Sequence, residues 1–420
     1  MDKKVKRNSL KKNFSWNFVG SMIYSATQWG LIIVFTRLGS VEMVGMYSLA
    51  LAITAPIMML TNIQLRTVQA SSTRFDYKYS DFLSVRVITN ILFILILLIM
   101  LFLSSYNKYT MIVIMLIGIS KFIESFSDVS FGFFQQQERM DYIARSQILK
   151  GLLGLIVVTI LILITKSLII SLFGLILSWL FVFLLYDLQN VSKFKEHNRP
   201  RFDIKNIKAI IILALPLGII EMITSLNSNL PKILVDKYLG KESLGYFASI
   251  FYLVLIGSKF VNSIAQAALP RLAKLNGEGK ISLFKKTLSK LVLISFLVGI
   301  MAIVVSFLFG DVLLVTIYGS EFTNYKFLLV LIMIYGMFDY VSRSLMIGLN
   351  SLRAFKIQPF LGAFWLFILF VLSIYFIPRY GLFGVGYSLI TYSLVRMISL
   401  VIVIYFRIKK NYTMRAYKLK

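Results

Sequence analysis

The sequence contains no cysteine and a single histidine, His197, among 420 residues. Disulfides, thiolate catalysis, cysteine-ligated metals and histidine clusters are therefore excluded. Acidic residues are scarce, 18 Asp plus Glu against 45 Lys plus Arg, and charged residues of both signs make up only 15% of the chain. A soluble domain usually carries about 25%, so this chain cannot present water with an ordinary surface. No glycine-rich phosphate loop ending in Lys and Ser or Thr, no histidine zinc motif and no nucleophile elbow occurs. Nothing in the sequence thus points to ATP hydrolysis or hydrolytic catalysis, and no metal is assigned. The longest polar stretch, Gln189 to Asn206, is too short to organise the chemistry of an integral glycosyltransferase. The expectation is a protein without enzymatic activity or cofactor.

What is abundant is apolar: 58% of residues are hydrophobic, with 35 Phe and 22 Tyr, and the mean hydropathy is +0.81. At about 20 residues per transmembrane helix, the chain has room for about 12 spans. Apolar runs predict them near 16–36, 43–65, 84–104, 111–134, 146–165, 167–187, 208–230, 243–269, 289–309, 325–348, 359–377 and 382–406. The runs are continuous rather than short and alternating, which predicts an all-α membrane protein and not a β-barrel. The basic segment Met1 to Lys12 leads into a retained span, with no small-residue cleavage site.

The net charge of +27 would suggest nucleic acid in a soluble protein. Here the basic residues fall mostly between apolar runs, where loops meet anionic lipid headgroups, so membrane lipids and not nucleic acid are the expected partners. One set of loops collects Lys3, Lys4, Lys6, Arg7, Lys11 and Lys12, then Arg66, Arg74, Lys78, Arg86, Arg139, Arg145 and Lys150, and the stretches 193–208, 271–290, 353–356 and 407–420. Scattered residues such as Arg37, Lys108, Lys166, Lys232 and Arg379 fall on the other side. This asymmetry predicts both termini in the cytoplasm.

The polar stretch 191–207 divides the chain near its midpoint, predicting a six-helix lobe over 1–190, a cytoplasmic linker, and a second lobe over 208–420. A repeat supports the division: Leu38, Gly39, Glu42, Gly45 and Tyr47 are echoed by Leu239, Gly240, Glu242, Gly245 and Phe247. Six helices per half give both halves one orientation, an arrangement that can enclose a cavity and open it alternately to either side.

Ionisable residues inside spans carry the functional information, because each would cost about 2.5–3.5 kcal/mol or more in lipid. Lys121, Glu124 and Asp128 share one helical face and suggest a cavity or gate, or a salt bridge locking helices together. Lys259, Asn262 and Gln266 make a second stripe, Asp339 and Arg343 a pair, and Arg396 follows Tyr392 by one turn. A cavity lined by Lys259, Arg343 and Arg396 would attract phosphate and disfavour organic cations. Glu221 follows Pro216 and Gly218, a combination expected to bend its helix. Glu221, Asn227 and Asp339 are the candidates for sodium or proton coupling, Glu221 acting with an asparagine or a freed carbonyl.

On the residues Leu239, Gly240, Gly245 and Tyr246, the segment AQAALPRLAKL ending at Leu275, and the N-terminal segments TRLGSVEMVGMYSLA and GFFQQQERMDYIARSQI, the chain resembles the O-antigen or capsular repeat-unit flippases. These belong to the multidrug, oligosaccharidyl-lipid and polysaccharide exporter superfamily. The resemblance covers essentially the whole chain. It implies two six-helix lobes, alternating access, and a bacterial inner or plasma membrane location. It also implies a substrate of undecaprenyl-diphosphate-linked oligosaccharide, and a polysaccharide polymerase with chain-length machinery as downstream partners. Alternatives within the superfamily are a cation-coupled multidrug exporter, for which the first span lacks an acidic residue, and a lipid II flippase, which would need 14 rather than 12 spans.

Overall fold

A computed structural model describes residues 8–72, 77–194 and 199–418, the side chains of Leu10 and of 410 onward excepted. Lys3, Lys4, Lys6, Arg7, Arg74 and His197 lie outside these. The described chain is helical, as apolar runs must be where hydrocarbon offers the backbone no hydrogen-bond partner. The helices are α1 (Leu10–Val34), α2 (Val41–Asn62), α3 (Leu65–Ser71), α4 (Tyr79–Phe102), α5 (Lys108–Gln136), α6 (Met140–Thr165), α7 (Leu168–Val182) and α8 (Leu188–Ser192). They continue with α9 (Ile204–Gly277), α10 (Ile281–Tyr318), α11 (Lys326–Ser351) and α12 (Gln358–Lys418). Local chemistry sets several starts: Asn107 accepts from the Thr110 amide at 2.8 Å, and Ser40 from that of Met43 at 3.3 Å, each satisfying an N–H that the helix cannot.

Ten helical segments among the described residues are long and apolar enough to cross a membrane. Two of them are too long for one crossing. At 1.5 Å per residue the 74 residues of α9 would extend about 110 Å if straight, against a hydrocarbon core of about 30 Å. Each long helix is interrupted by a glycine with non-helical dihedrals, Gly240 (φ 82°) in α9 and Gly381 (φ 55°) in α12. Positive φ is open to glycine at little cost, so the chain turns there without a loop. Resolved into 204–239, 241–277, 358–380 and 382–418, these helices bring the number of spans to the expected twelve. The repeat motif marks matching places. Gly39 ends a π-turn just before α2, and Gly240 separates the first two spans of the second half.

Contacts divide the chain into two compact units, Met1–Asn229 and Leu230–Lys420. The first part of α9 thus belongs to unit 1, although the polar stretch 191–207 precedes it. Ile207, Ile210 and Ala214 join a core made by Leu65, Val68, Phe82, Val129, Phe134 and Ile143. Further along, Gly218 lies so close to α2 that a β-carbon there would sit 2.8 Å from the Leu60 carbonyl oxygen and 2.9 Å from the Ile63 α-carbon. α9 runs on without non-helical dihedrals at Pro216 or Gly218. The glycine permits this close helix packing. In unit 2, α11 is the most enclosed span, with 78% of its apolar window buried. It is tied to α9 by the Tyr340 hydroxyl, which donates to the Val254 carbonyl at 3.0 Å.

Large apolar side chains line the outer faces, among them Ile91, Leu95 and Ile99 of α4. A multi-pass membrane protein presents such faces to lipid. At the turn between α9 and α10 the Lys280 ammonium, hydrogen-bonded to Glu278, holds that carboxyl below its usual range. Two charges assigned to loops by sequence are elsewhere. Arg86 is wholly buried within α4 and Lys150 is 3% exposed within α6.

The close approach at Gly218 gives the first prediction. Gly218→Val should lower stability in detergent by about 1–3 kcal/mol through overpacking. Gly277→Ala, which meets only open space, should leave the denaturation midpoint within experimental scatter. Equal effects of the two would contradict the packing role.

Candidate functional site

Unit 1 gathers its charges on α5. Lys121, Glu124, Ser125 and Asp128 occupy one face, as the spacing predicts, and neighbouring helices supply partners. The Lys121 ammonium donates to one Glu124 oxygen at 2.7 Å, and the Tyr24 hydroxyl of α1 to the other at 2.8 Å. Asp128 lies 3.7 Å from Arg66 and 3.8 Å from Arg86. The second distance exceeds a hydrogen bond, and all three guanidinium nitrogens of Arg86 are buried without an acceptor. Beside them Lys150 donates to Asp187 at 2.8 Å and to the Ser127 hydroxyl, and its ammonium sits 5.1 Å from the Phe131 ring centre. Four cations therefore meet three carboxylates, leaving one positive charge in excess.

This face borders a cavity of about 320 Å³, lined among others by Met58, Asn62, Arg66, Lys121, Glu124, Asp128, Phe131 and Gln147. The side-chain oxygens of Asn62 and Gln147 are buried without a hydrogen-bond partner. An unsatisfied buried acceptor costs about 1–3 kcal/mol, and both oxygens are turned away from the cavity's open space although their side chains help to line it. Two amide side chains, two carboxylates, two cations and an aromatic ring are a lining suited to a polar ligand with both hydrogen-bonding and charged groups. The volume is within the range of ordinary ligand pockets.

Unit 2 has its own cluster. Asp339 of α11, 2% exposed, accepts from Arg343 at 2.6 Å, from Arg396 of α12 at 2.9 Å and from the Ser258 hydroxyl at 3.3 Å. Arg396 lies 5.2 Å from the Trp365 ring centre, and the Trp365 indole donates to Ser399 at 2.9 Å. The two arginines share a carboxylate, so together they offer one excess charge rather than two. Tyr392 is buried in the same helix, whereas Lys259, Asn262 and Gln266 are exposed along α9.

The ion-coupling candidates have separate surroundings. Glu221 accepts from the Gln64 amide at 2.6 Å, where Gln64 follows Ile63 in a left-handed turn between α2 and α3. Asn227 donates to the Ile223 carbonyl of its own helix at 2.9 Å, and Asp339 is held by the arginines. Among the described residues no group of three His, Asp or Glu could hold a metal. Sequence reasoning did not single out Asn62, Arg86, Gln147, Lys150 or Asp187. The acid Asp187 at the end of an apolar run was the available signal.

A family model described as "Polysaccharide biosynthesis protein" matches residues 10–276, more than half of the chain. The chain belongs to this family. The Staphylococcus aureus "Capsular polysaccharide biosynthesis protein CapF" is 28% identical over 393 residues, covering 92% of this chain and 97% of that protein. Among solved structures, the lipid II flippase MurJ in an inward closed conformation aligns with a TM-score of 0.75 at 13% identity, covering 94% of this chain and 89% of that one. A multidrug resistance MATE family transporter of the MOP superfamily, in its inward-facing conformation, aligns with 0.68 at 15% identity, covering 94% and 99%. The fold of this polysaccharide biosynthesis protein is therefore that of the MOP-superfamily transporters. The expected all-α, two-lobed exporter fold is found.

The Asp339 cluster predicts an asymmetry. Asp339→Ala, which leaves two arginines facing each other without their acceptor, should cost about 3–5 kcal/mol in detergent unfolding. Arg343→Ala should cost about 1 kcal/mol or less, because Asp339 keeps Arg396. Equal losses would show that Asp339 does not bridge the two.

Proposed function

We propose that this chain is an alternating-access flippase. Its cargo is an undecaprenyl-diphosphate-linked oligosaccharide repeat unit, moved from the cytoplasmic to the outer leaflet of a bacterial inner or plasma membrane for capsule or O-antigen assembly. The observation that carries the reading is the unit 1 cavity, a chamber bordered by charged and amide side chains and an aromatic ring inside an apolar helical protein. Sugar hydroxyls donate to the carboxylates and the amide side chains, a sugar face stacks on Phe131, and the diphosphate pairs with the lining cations Arg66 and Lys121. Carrying a diphosphate bare through hydrocarbon would be prohibitive, and a cavity that replaces its hydration lowers that barrier. The family assignment and the capsular name of the Staphylococcus aureus relative support a surface polysaccharide as the end product. A polymerase with chain-length machinery would consume the exported unit.

The paired charges also argue against a multidrug exporter as the primary reading, since every carboxylate at this cavity already faces a cation of the chain. For energy coupling, by protons or sodium, Glu221 is the carboxylate we assign. It has a neutral amide rather than a cation as its hydrogen-bond partner, so a proton or a sodium ion changes its net charge.

Two outcomes test these assignments in liposomes containing the purified protein. Asn62→Leu and Gln147→Leu should each slow movement of a labelled undecaprenyl-diphosphate oligosaccharide by about tenfold, on the order of 1.4 kcal/mol. Thermal stability should be unchanged or raised, because each substitution removes an unsatisfied buried acceptor. Movement of a cationic dye by the unaltered protein, with no movement of the lipid-linked sugar, would replace the flippase reading by the multidrug one. Glu221→Gln should abolish the acceleration produced by an imposed proton or sodium gradient while leaving gradient-free movement intact. Persistence of gradient dependence would remove Glu221 from the coupling step.

A further inference from the structure

Unit 2 carries a groove of about 640 Å³ between α10, α11 and the last part of α12, walled by Phe296, Phe338, Met397, Val401 and Tyr405. Lys285 is the only charged residue among its lining side chains. The three helices meet here at one end. α10 begins at Ile281, α11 finishes at Ser351, and α12 continues to Lys418. Lys285 and Tyr405 are near that end, and Phe296 and Met397 mark the deeper part. The eleven residues from Lys285 to Phe296 rise about 16 Å, roughly half the hydrocarbon thickness. Lys280, Lys286, Lys290 and Lys409 are exposed around the same end, which the loop charge asymmetry assigns to the cytoplasm.

A cation in the headgroup zone above an apolar channel one leaflet deep has the shape of a single phosphorylated lipid. We propose that this groove holds the polyprenyl chain of the carried lipid, its phosphate end at Lys285, before the glycan is taken up. The inference rests on the flippase reading and extends it. An ordinary acyl chain is slim and covers an apolar helix face without needing a furrow. An isoprenoid chain bears a methyl branch on every unit, and a broad furrow with aromatic walls accommodates it. Charge complementarity at one end and apolar walls elsewhere fix the orientation of the chain.

The test uses the full chain in lipid nanodiscs with a photoreactive undecaprenyl phosphate as probe. Labelled peptides should map to 285–296 and 397–408, with labelling competed by unlabelled undecaprenyl phosphate but not by excess phosphatidylglycerol. Ser289→Trp and Val401→Trp, both exposed groove positions where folding is little at risk, should each reduce labelling about tenfold. In liposomes these variants should slow a diphosphate oligosaccharide on a full-length polyprenyl chain while sparing one on a shortened chain. Equal competition by phosphatidylglycerol, labelling elsewhere, or equal slowing of both chain lengths would overturn the proposal. So would protection of the groove by a second copy, seen as label that appears only on dilution to monomer. Specific labelling in a protein that moves no lipid-linked glycan would leave the groove standing and refute the flippase reading instead.

Discussion

Hydrocarbon offers no hydrogen-bond partner, and the architecture follows from that constraint. Every spanning backbone must satisfy its own amides and carbonyls, so the chain is helical wherever it is apolar. The same constraint acts on side chains. Lys150 and Asp187 neutralise each other in near-complete burial, and Asp339 is caged by two arginines and a serine. Breaking such a group by removing one partner is costly, although a buried ion pair contributes little net stability compared with a well-packed apolar one.

The clusters obey the internal repeat. α5 is the fourth span of the first half and α11 the fourth of the second, and each contributes a carboxylate on which two cations converge, Asp128 and Asp339. Each cluster ends with one positive charge in excess, by different means. In unit 1 several cations and carboxylates border a chamber. In unit 2 a single aspartate is shared by two arginines, with Trp365 covering one of them. The closed triad of unit 2 holds α11 against α12.

Fold likeness to MOP-superfamily transporters at 13% and 15% identity leaves the cargo to the lining chemistry. Here that chemistry combines paired charges, amide oxygens and an aromatic face, and no group of acids among the described residues is poised to hold a metal. The cavity's carboxylates and cations are paired with one another.

Twelve spans, the loop charge asymmetry, the repeat around Gly39 and Gly240, and the shared face of Lys121, Glu124 and Asp128 were all legible in the sequence. Each depends on hydropathy or on the helical period, which are local properties. Partners and depth were not legible. Arg86 and Lys150 read as loop charges because apolar runs begin beside them, yet packing of α4 and α6 against α5 buries both. Arg343 and Arg396 read as open anion receptors because Asp339 is four residues from one and 57 from the other. Only helix packing shows that one carboxylate holds both. Asn62 and Gln147 carried no sequence signal, since a neutral amide in an apolar run becomes informative only when its oxygen is seen to be buried without a partner. The sequence by itself determined a multi-pass helical membrane protein, because lipid imposes the period and length of its elements. Tertiary structure decided which charges are spent on one another and which polar groups are left for a ligand, because those pairings join residues far apart in the chain.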